Sequence, residues 1–271
     1  MSLGGLALGA ALAGLIAVAA YALGALSTSG ALGALGVGAV TFGLGGFTPA
    51  VLLVLFFVSS SGLSRLGKGR KRSVAAAFSK GSRRDLGQVL ANGGVAAACS
   101  LLYGVTAQSV WLVALTGALA AANGDTWATE LGVLSGSRPR LITTGALVEP
   151  GTSGGVSLMG TLAAVAGAAL IGAAATGLEA EPRLALVAVL GGLAGALFDS
   201  LLGATVQAMY FCPVCGRETE RHPRHTCGAE TRRIRGLAWL DNDGVNLAAT
   251  IVGSWTAWII WILVLPPVVS G

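Results

Sequence analysis

Long apolar segments alternate with short polar connections along the whole chain. A helix rises ~1.5 Å per residue, so about 20 apolar residues are needed to cross the hydrocarbon core of a bilayer. Segments of this kind predict eight membrane-spanning helices, at 3–26, 30–46, 48–63, 86–104, 108–134, 156–177, 184–208 and 243–265. We therefore expect an all-α, polytopic membrane protein that forms one domain over residues 1–271, a bundle of seven or eight helices.

The second and third segments leave the count open between seven and eight. No polar loop divides them, only the break Gly45-Gly46-Phe47-Thr48-Pro49. Glycine and proline interrupt helices, so the pattern fits two short spans, a re-entrant hairpin or one bent element. The first segment lacks the basic start and the small-residue exit of a cleavable signal, and we expect it to stay in the protein.

Composition agrees with a membrane protein. Hydrophobic residues make up 54% of the chain and charged residues 11%, whereas a soluble domain carries about 25% charged residues. Disordered, fibrous and disulfide-stapled secreted proteins are excluded by the same figures.

The basic residues lie almost entirely on one side of the predicted bundle. Sixteen of the 17 Lys and Arg residues fall in the loops 64–85, 135–157 and 211–236, and only Arg183 lies opposite. Short loops rich in Lys and Arg face the cytoplasm. We therefore expect these loops in the cytoplasm and, in a bacterial or archaeal cell, the helices in the inner membrane.

The basic charge itself has two readings. Juxtamembrane Lys and Arg fix topology and attract anionic lipids, which accounts for a loop such as 64–85 without further function. Alternatively, Lys80, Arg83 and Arg84 bind phosphate groups of a substrate. Since no aromatic residues interleave the charge, we expect no nucleic-acid partner.

Five acidic residues lie in or at the ends of predicted spans, where an isolated Asp at mid-membrane costs ~2.5–3.5 kcal/mol. They are Asp125, Glu130, Asp199, Asp241 and Asp243. Each needs a partner or a water-filled cavity, so we take all five as catalytic candidates. Hydrogen bonding between helices is the alternative.

Carboxylates from several helices suit a hard divalent cation, above all Mg²⁺, which commonly bridges substrate phosphates. The predicted Mg²⁺ ligands are Asp125, Glu130, Asp199 and Asp241. Asp125 and Glu130 are five residues apart, about 140° around a helix, so they share one ion only if the helix unwinds near Gly124; otherwise they serve two ions. Asp241 also has the position of a helix N-cap.

A glycine-rich loop, 135–157, lies on the same side and leads into the sixth segment. Glycines let backbone N–H groups approach an anion, and a helix N-terminus adds a partial positive charge. We expect phosphate contacts there, with a flexible connector as the alternative, from Thr144, Gly145, Thr152, Ser153, Gly154, Gly155 and Ser157. Amide side chains on the neighbouring spans are further binding candidates: Asn92, Asn123, Asn242 and Asn246.

The last polar loop holds three of the four cysteines and both histidines. Cys212 and Cys215 form a C-x-x-C pair followed by glycine, the usual shape of a zinc knuckle. Cys227 and one histidine, His225 or His222, complete four ligands. The cytoplasm is reducing, so we expect structural Zn²⁺ on Cys212, Cys215, His225 and Cys227 rather than a disulfide, with a redox role or no metal as alternatives.

These motifs together resemble an integral membrane family, long described as a domain of unknown function, that includes plastid phytyl-phosphate kinase of vitamin E biosynthesis. The resemblance spans about residues 88–250. It is carried by Ala91-Asn92-Gly93, Asn123-Gly124-Asp125-Thr126-Trp127-Ala128-Thr129-Glu130-Leu131-Gly132, Thr144-Gly145, Gly151-Thr152-Ser153-Gly154-Gly155-Val156-Ser157, Phe198-Asp199-Ser200-Leu201-Leu202-Gly203-Ala204 and Trp239-Leu240-Asp241-Asn242-Asp243.

The resemblance implies a kinase that transfers a phosphate from a nucleoside triphosphate, expected to be CTP, to a prenyl monophosphate such as phytyl or geranylgeranyl phosphate. The prenyl chain would lie in the bilayer and the phosphate at the cytoplasmic rim. Cytidylyl transfer to a lipid phosphate, ion or solute transport, and a non-enzymatic scaffold are the competing functions. The sequence leaves the monomer and the homodimer open.

Overall fold

The computed structural model describes residues 3–66 and 83–263, and in that part of the chain it contains eight α-helices. They are α1 (Leu3–Ala22), α2 (Thr28–Gly45), α3 (Phe47–Arg65), α4 (Leu86–Thr106), α5 (Ser109–Leu134), α6 (Leu158–Glu179), α7 (Arg183–Thr205) and α8 (Asn242–Leu263). Each predicted segment has its helix. Lys80 and most of the basic loop 64–85 lie outside the described residues.

Seven of these helices are long and apolar enough to cross a membrane. The exception is α5, which carries Asn123, Asp125 and Glu130 among its apolar residues. Yet α5 is buried without interruption from Leu112 to Gly124, and it packs against α3, α4, α6, α7 and α8. A helix that is buried all round lies at the centre of a bundle. Asn123, the polar residue near the end of this buried stretch, is therefore surrounded by protein rather than by lipid, whereas Asp125 and Glu130 lie beyond it and are half-buried.

The break between the second and third segments separates two distinct helices. Gly46 follows α2 and precedes α3 with φ +81°, in the left-handed region that glycine adopts without a steric penalty. Both helices qualify by length and composition as membrane spans. The structure thus has two spans here rather than one bent element.

The α5–α6 and α7–α8 connections lie at one end of the bundle, which we call the loop end, together with Ser64 near the end of α3 and Arg84 just before α4. The short α1–α2 turn lies there too, since Arg65 at the end of α3 donates a hydrogen bond to the Leu23 carbonyl at 2.8 Å. Ser27 also donates its backbone N–H to the Arg84 carbonyl at 2.9 Å. A Cβ atom on Gly30 would collide with that carbonyl, so glycine permits the approach.

Away from the loop end, small residues bring the central helices into contact. A Cβ atom on Gly191 of α7 would lie 2.7 Å from the Gly253 carbonyl oxygen of α8, and one on Gly117 of α5 would collide with the same oxygen. Membrane helices pack closely through such residues because lipid tails supply no hydrophobic drive for helix association.

Five short strands stand in two of the connections: β1 (Arg140–Leu141), β2 (Gly155–Val156), β3 (Met209–Cys212), β4 (Arg217–Thr219) and β5 (Arg232–Arg235). β1 and β2 form an antiparallel pair within the glycine-rich loop, with Arg140 opposite Val156. The other three form an antiparallel sheet in the order β4-β3-β5 between α7 and α8. This small sheet holds the end of β4 against the bundle.

Candidate functional site

A cavity of about 620 Å³ opens at the loop end, between the ends of α4 to α8 and the connections above them. Its volume is in the range of small-molecule sites, about 300–1,000 Å³. It is lined by twelve of the residues that the sequence selects: Arg84, Asn92, Asp125, Glu130, Thr152, Ser153, Gly154, Gly155, Ser157, Asp199, Asn242 and Asn246. With Ser64 of α3 included, the whole lining comes from six helices and three connections, which therefore share one polar space.

Three carboxylates line this cavity: Asp125 of α5, Asp199 of α7 and Glu220, which follows β4. The charges of Asp125 and Glu220 act on Asp199, and that of Glu220 acts on Asp125. The Oδ2 atom of Asp199 is buried and has no hydrogen-bond partner among the described residues. Carboxylate oxygens are the ligands that hard divalent cations prefer, so these half-buried groups are candidates for binding such a cation.

Glu220 is held in place by a chain of hydrogen bonds. Ser153 of the glycine-rich loop donates to Oε1 of Gln207 at 2.8 Å, and Nε2 of Gln207 donates to Oε1 of Glu220 at 3.0 Å. Gln207 is only 2% exposed. The chain thus ties the glycine-rich loop, the end of α7 and the small sheet to one carboxylate.

The sequence did not select Glu220. It lies between Cys215 and His222 in a connection rich in Arg, where neither helical spacing nor a motif distinguishes it from its neighbour Glu218. Strand β4, which pairs with β3 across the cysteine turn, brings Glu220 into the cavity. A prediction of the β3–β4 hairpin from the sequence could have identified Glu220 as a cavity residue.

Glu130 lies in the same cavity but has a different charged neighbour. α5 stays helical through Gly124, so Asp125 and Glu130 remain about 140° apart around its axis. Burial lowers the pKa of Arg84 to about 10, and the negative charge of Glu130 raises it in part. Arg84 is therefore still a cation at neutral pH, next to Glu130.

Two guanidinium groups line the cavity, Arg84 before α4 and Arg221 after β4. The buried Nε of Arg221 has no hydrogen-bond partner in the part of the chain that the structure describes. The guanidinium carbon of Arg84 also lies over the rings of Phe56, at 5.2 Å, and Phe57, at 5.7 Å. Guanidinium groups match the geometry of phosphate, so both arginines suit an anionic ligand.

The glycine-rich loop is packed against the bundle rather than free. Gly154 is buried with φ +84°, and a Cβ atom there would collide with Ala204 of α7. Ser157 caps α6 by accepting a hydrogen bond from the Gly160 N–H at 3.1 Å. The N-terminus of α6 thereby lines the cavity and adds a partial positive charge.

Some residues selected from the sequence lie outside the cavity. Asn123 is fully buried and accepts hydrogen bonds from Ser59 and Ser60 at 2.8 and 3.0 Å. Its amide donates to the Gly167 carbonyl at 2.8 Å. It therefore joins α3, α5 and α6 within the bundle.

Five more residues selected from the sequence do not line the cavity. Asp241 is exposed and accepts a hydrogen bond from the Gly244 N–H at 3.0 Å, which makes it the N-cap of α8. Arg83 donates to the Leu26 carbonyl at 3.2 Å, away from the site. The other three are Asp243 in the first turn of α8, and Thr144 and Gly145 in the exposed turn after β1.

Cys212, Cys215, His225 and Cys227 form a cluster that could hold a metal ion, with all ligand atoms within 4.8 Å of one another. Sγ of Cys212 lies 3.6 Å from Sγ of Cys227, and Nδ1 of His225 lies 3.4 Å from Sγ of Cys215 and 3.3 Å from Sγ of Cys227. Tetrahedral zinc with bonds of ~2.3 Å to sulfur and ~2.0 Å to nitrogen requires edges of roughly 3.5–3.8 Å. The donor set therefore fits zinc.

The structure also distinguishes the two histidines. The ring of His222 stacks on Tyr210, with centroids 4.6 Å apart, and does not join the cluster. Gly216 closes the turn below the ligands with φ +63°, its N–H donating to the Cys212 carbonyl at 2.9 Å. His225 is thus the fourth member.

Comparison with known proteins places these features in a family. The profile of the integral membrane family DUF92 matches residues 11–254. Protein PGR of Arabidopsis thaliana is 36% identical over 89% of this chain and 90% of its own length. An uncharacterized membrane protein of Methanocaldococcus jannaschii is 35% identical over 84% of this chain and 82% of its own.

A further relative, Protein VTE6, chloroplastic, of Arabidopsis thaliana, is 24% identical over 84% of this chain and 63% of its own length. No solved structure matches the chain.

Proposed function

The chain belongs to the DUF92 family of integral membrane proteins, and on this premise we propose that it is a kinase that transfers a phosphate from a nucleoside triphosphate, CTP by the family resemblance, to a prenyl monophosphate. The product is the prenyl diphosphate. The observation that carries the proposal is a single cavity lined by the carboxylates of Asp125, Asp199 and Glu220 and by the guanidinium groups of Arg84 and Arg221.

Asp125, Asp199 and Glu220 would hold Mg²⁺, because the buried free oxygen of Asp199 and the mutual repulsion of the three carboxylates fit a divalent cation. When bound, Mg²⁺ neutralises the charge that builds on the transferring phosphate. Glu130 and Asp241 were predicted as ligands too; Glu130 faces Arg84, and Asp241 caps α8.

The reaction asks for positioning and charge neutralisation more than for a strong base. An oxygen of the ionised acceptor phosphate is already a nucleophile; it attacks the terminal phosphorus of the triphosphate, and the bond to the bridging oxygen breaks to release the nucleoside diphosphate. Arg84, Gln88 and Asn92 lie where the cavity borders α4 and would bind the acceptor phosphate. Arg221 and the glycine-rich loop would bind the donor phosphates.

The side of the membrane on which the cavity opens is inferred from the charge at the loop end. The described parts of the connections at the loop end are rich in Arg, and we propose that this end faces the cytoplasm. A nucleotide then reaches the cavity from water, while the acceptor reaches it from the bilayer.

Zinc on the Cys/His cluster is the second metal that we propose, in a structural role. Four protein ligands leave no open position for catalysis. The cluster joins the β3–β4 turn, through Cys212 and Cys215, to the β4–β5 connection, through His225 and Cys227. Metal binding would therefore hold β4 and the residue that follows it, Glu220.

The position of a radioactive label tests the proposal and separates it from cytidylyl transfer. Protein in detergent is incubated with Mg²⁺, geranylgeranyl or phytyl monophosphate, and CTP or ATP that carries ³²P at the γ or the α position. The kinase moves γ-label into the prenyl diphosphate. Label transferred from the α position instead identifies a cytidylyltransferase, and no transfer from any nucleotide contradicts both.

The matched variants are Asp125→Asn and Asp241→Asn. Asp125→Asn removes a proposed metal ligand, and we expect γ-transfer to fall by at least ~100-fold while the protein elutes as the wild type does. Asp241→Asn lies outside the cavity and keeps a good N-cap, so its activity should stay within about twofold. An active Asp125→Asn protein would remove this residue from the mechanism.

A further inference from the structure

A second, apolar space lies beside the large cavity. This crevice, of about 70 Å³, runs between α1, α2, α3 and the start of α4. Its wall consists of Ala, Leu, Ile, Val, Phe and Gly residues, apart from three polar residues: Arg84, Gln88 and Asn92.

Those three polar residues also line the large cavity. They stand at the junction of a polar space that holds the carboxylates and an apolar space inside the bundle. The guanidinium of Arg84 lies over Phe56 and Phe57, two residues of the crevice wall. An amphipathic molecule can therefore place its anionic head in the polar cavity and its apolar chain in the crevice.

The crevice points from the loop end into the membrane. On α1 its wall extends from Ala20, near the loop end, to Ala13, and seven residues at ~1.5 Å each make about 10 Å. Ile16 lines the crevice and is also 37% exposed. The crevice thus reaches the outer surface of the bundle, where the rest of a long chain can pass into the bilayer.

The volume suits one hydrocarbon chain. One water-sized group takes ~10–15 Å³ of cavity volume. A crevice of about 70 Å³ therefore holds about five such groups, roughly the five carbons of one isoprene unit. Two acyl chains side by side do not fit.

We propose that this crevice binds the chain of a single-chain lipid monophosphate, with its phosphate at Arg84, Gln88 and Asn92. The inference rests on the proposed function, because it identifies the acceptor subsite of the same cavity. It makes the acceptor a lipid with one narrow chain and excludes diacyl lipid phosphates.

Photolabelling tests the site without any turnover. Farnesyl monophosphate that carries a diazirine in its chain is added to wild-type protein in detergent, irradiated, and the labelled residues are mapped by mass spectrometry. We expect label on the inner faces of α1 and α2, at 13–20 and 34–42, and at least a tenfold loss of label with excess geranylgeranyl monophosphate. Label confined to other helices, or equal displacement by phosphatidic acid, overturns the proposal.

A pair of variants on α1 provides the kinetic test. Ala17 is buried and lines the crevice, so Ala17→Leu fills it; Ala19 is exposed on the same helix and provides the control Ala19→Leu. We expect Ala17→Leu to raise KM for geranylgeranyl monophosphate about tenfold with kcat within about twofold, and Ala19→Leu to change neither. Equal KM values in the two variants overturn the proposal.

The two experiments separate the inference from the proposed function. Label in the crevice without γ-phosphate transfer supports the lipid-phosphate site and contradicts the kinase. Transfer with label elsewhere contradicts the crevice and leaves the kinase in place.

Discussion

Asp199 has one buried carboxylate oxygen without a hydrogen-bond partner among the described residues, and it feels the charges of Asp125 and Glu220. A side chain in this position destabilises the fold unless a cation or a proton compensates for it. The unpartnered oxygen is therefore an argument for ligand binding at the level of a single residue, independent of any family.

Glu220 gives the sharpest residue-scale prediction. Glu220→Gln keeps an oxygen for the hydrogen bond from Gln207 but removes the negative charge. We expect phosphate transfer to fall by at least ~100-fold, with an unchanged midpoint of thermal unfolding, because one proposed cation ligand is lost. Both quantities are measured on detergent-purified protein.

Glu218→Gln is the matched control for that experiment. Glu218 lies on the same strand and is exposed, so its neutralisation should leave transfer within about twofold. If the two variants behave alike, Glu220 has no role in the site.

At the scale of elements, the small sheet between α7 and α8 connects two sites. The Cys/His cluster fixes the β3–β4 turn, and the end of β4 presents Glu220 and Arg221 to the cavity. The glycine-rich loop approaches from the other direction through Ser153 and Gln207. Each element is short, so its position depends on these few contacts.

Loss of the cluster should therefore affect both metal content and activity. We expect elemental analysis to find about one zinc per wild-type chain and essentially none in Cys215→Ser, because one of four ligands is gone. Phosphate transfer should decline as β4 loosens. Cys99→Ser, in α4 and outside the cluster, should keep its zinc; a metal-free wild-type protein would contradict the structural role.

The glycine-rich loop can be tested at its closest contact with the bundle. Gly154→Ala places a Cβ against Ala204 at a backbone φ of +84°, so we expect destabilisation of about 1–3 kcal/mol and weaker nucleotide binding. Thermal unfolding and KM for the nucleotide measure the two effects. Gly177→Ala in α6 meets no atom within 4 Å and should be neutral; similar effects in both variants would show that the loop is not packed as described.

At the scale of the whole molecule, the two ends of the bundle differ. Close contacts between glycines bring α5, α7 and α8 together away from the loop end, whereas the loop end holds the large cavity and the crevice opens beside it. Six helices and three connections supply the walls of the cavity. In the proposed reaction, substrates of different polarity would enter from water and from lipid without a path across the membrane.

The orientation of the molecule is open to a direct test. Ala146→Cys places a thiol in an exposed turn of the loop end, and Glu179→Cys places one at the opposite end, where α6 finishes. In intact bacterial cells we expect a membrane-impermeant maleimide to label Glu179→Cys, and to label Ala146→Cys only after permeabilisation. The reverse pattern would place the cavity outside the cytoplasm.

The sequence by itself determined the membrane class, a bundle of seven or eight helices, and the gathering of the polar connections at one end of it. These follow from local properties, because apolar length and the placement of Lys and Arg act segment by segment. The Cys/His cluster was also predictable, since its ligands lie within 16 residues of one another, Cys212 to Cys227.

Only the tertiary structure decided which polar groups meet. It brought Glu220 to Asp125 and Asp199, left Asp241 as a helix cap, and used Asn123 to join three helices. It also placed the crevice beside Arg84. Sequence spacing gives the face of one helix but not the neighbour that this face meets, and the meeting of α4, α5, α7 and β4 depends on close packing between segments far apart in the chain.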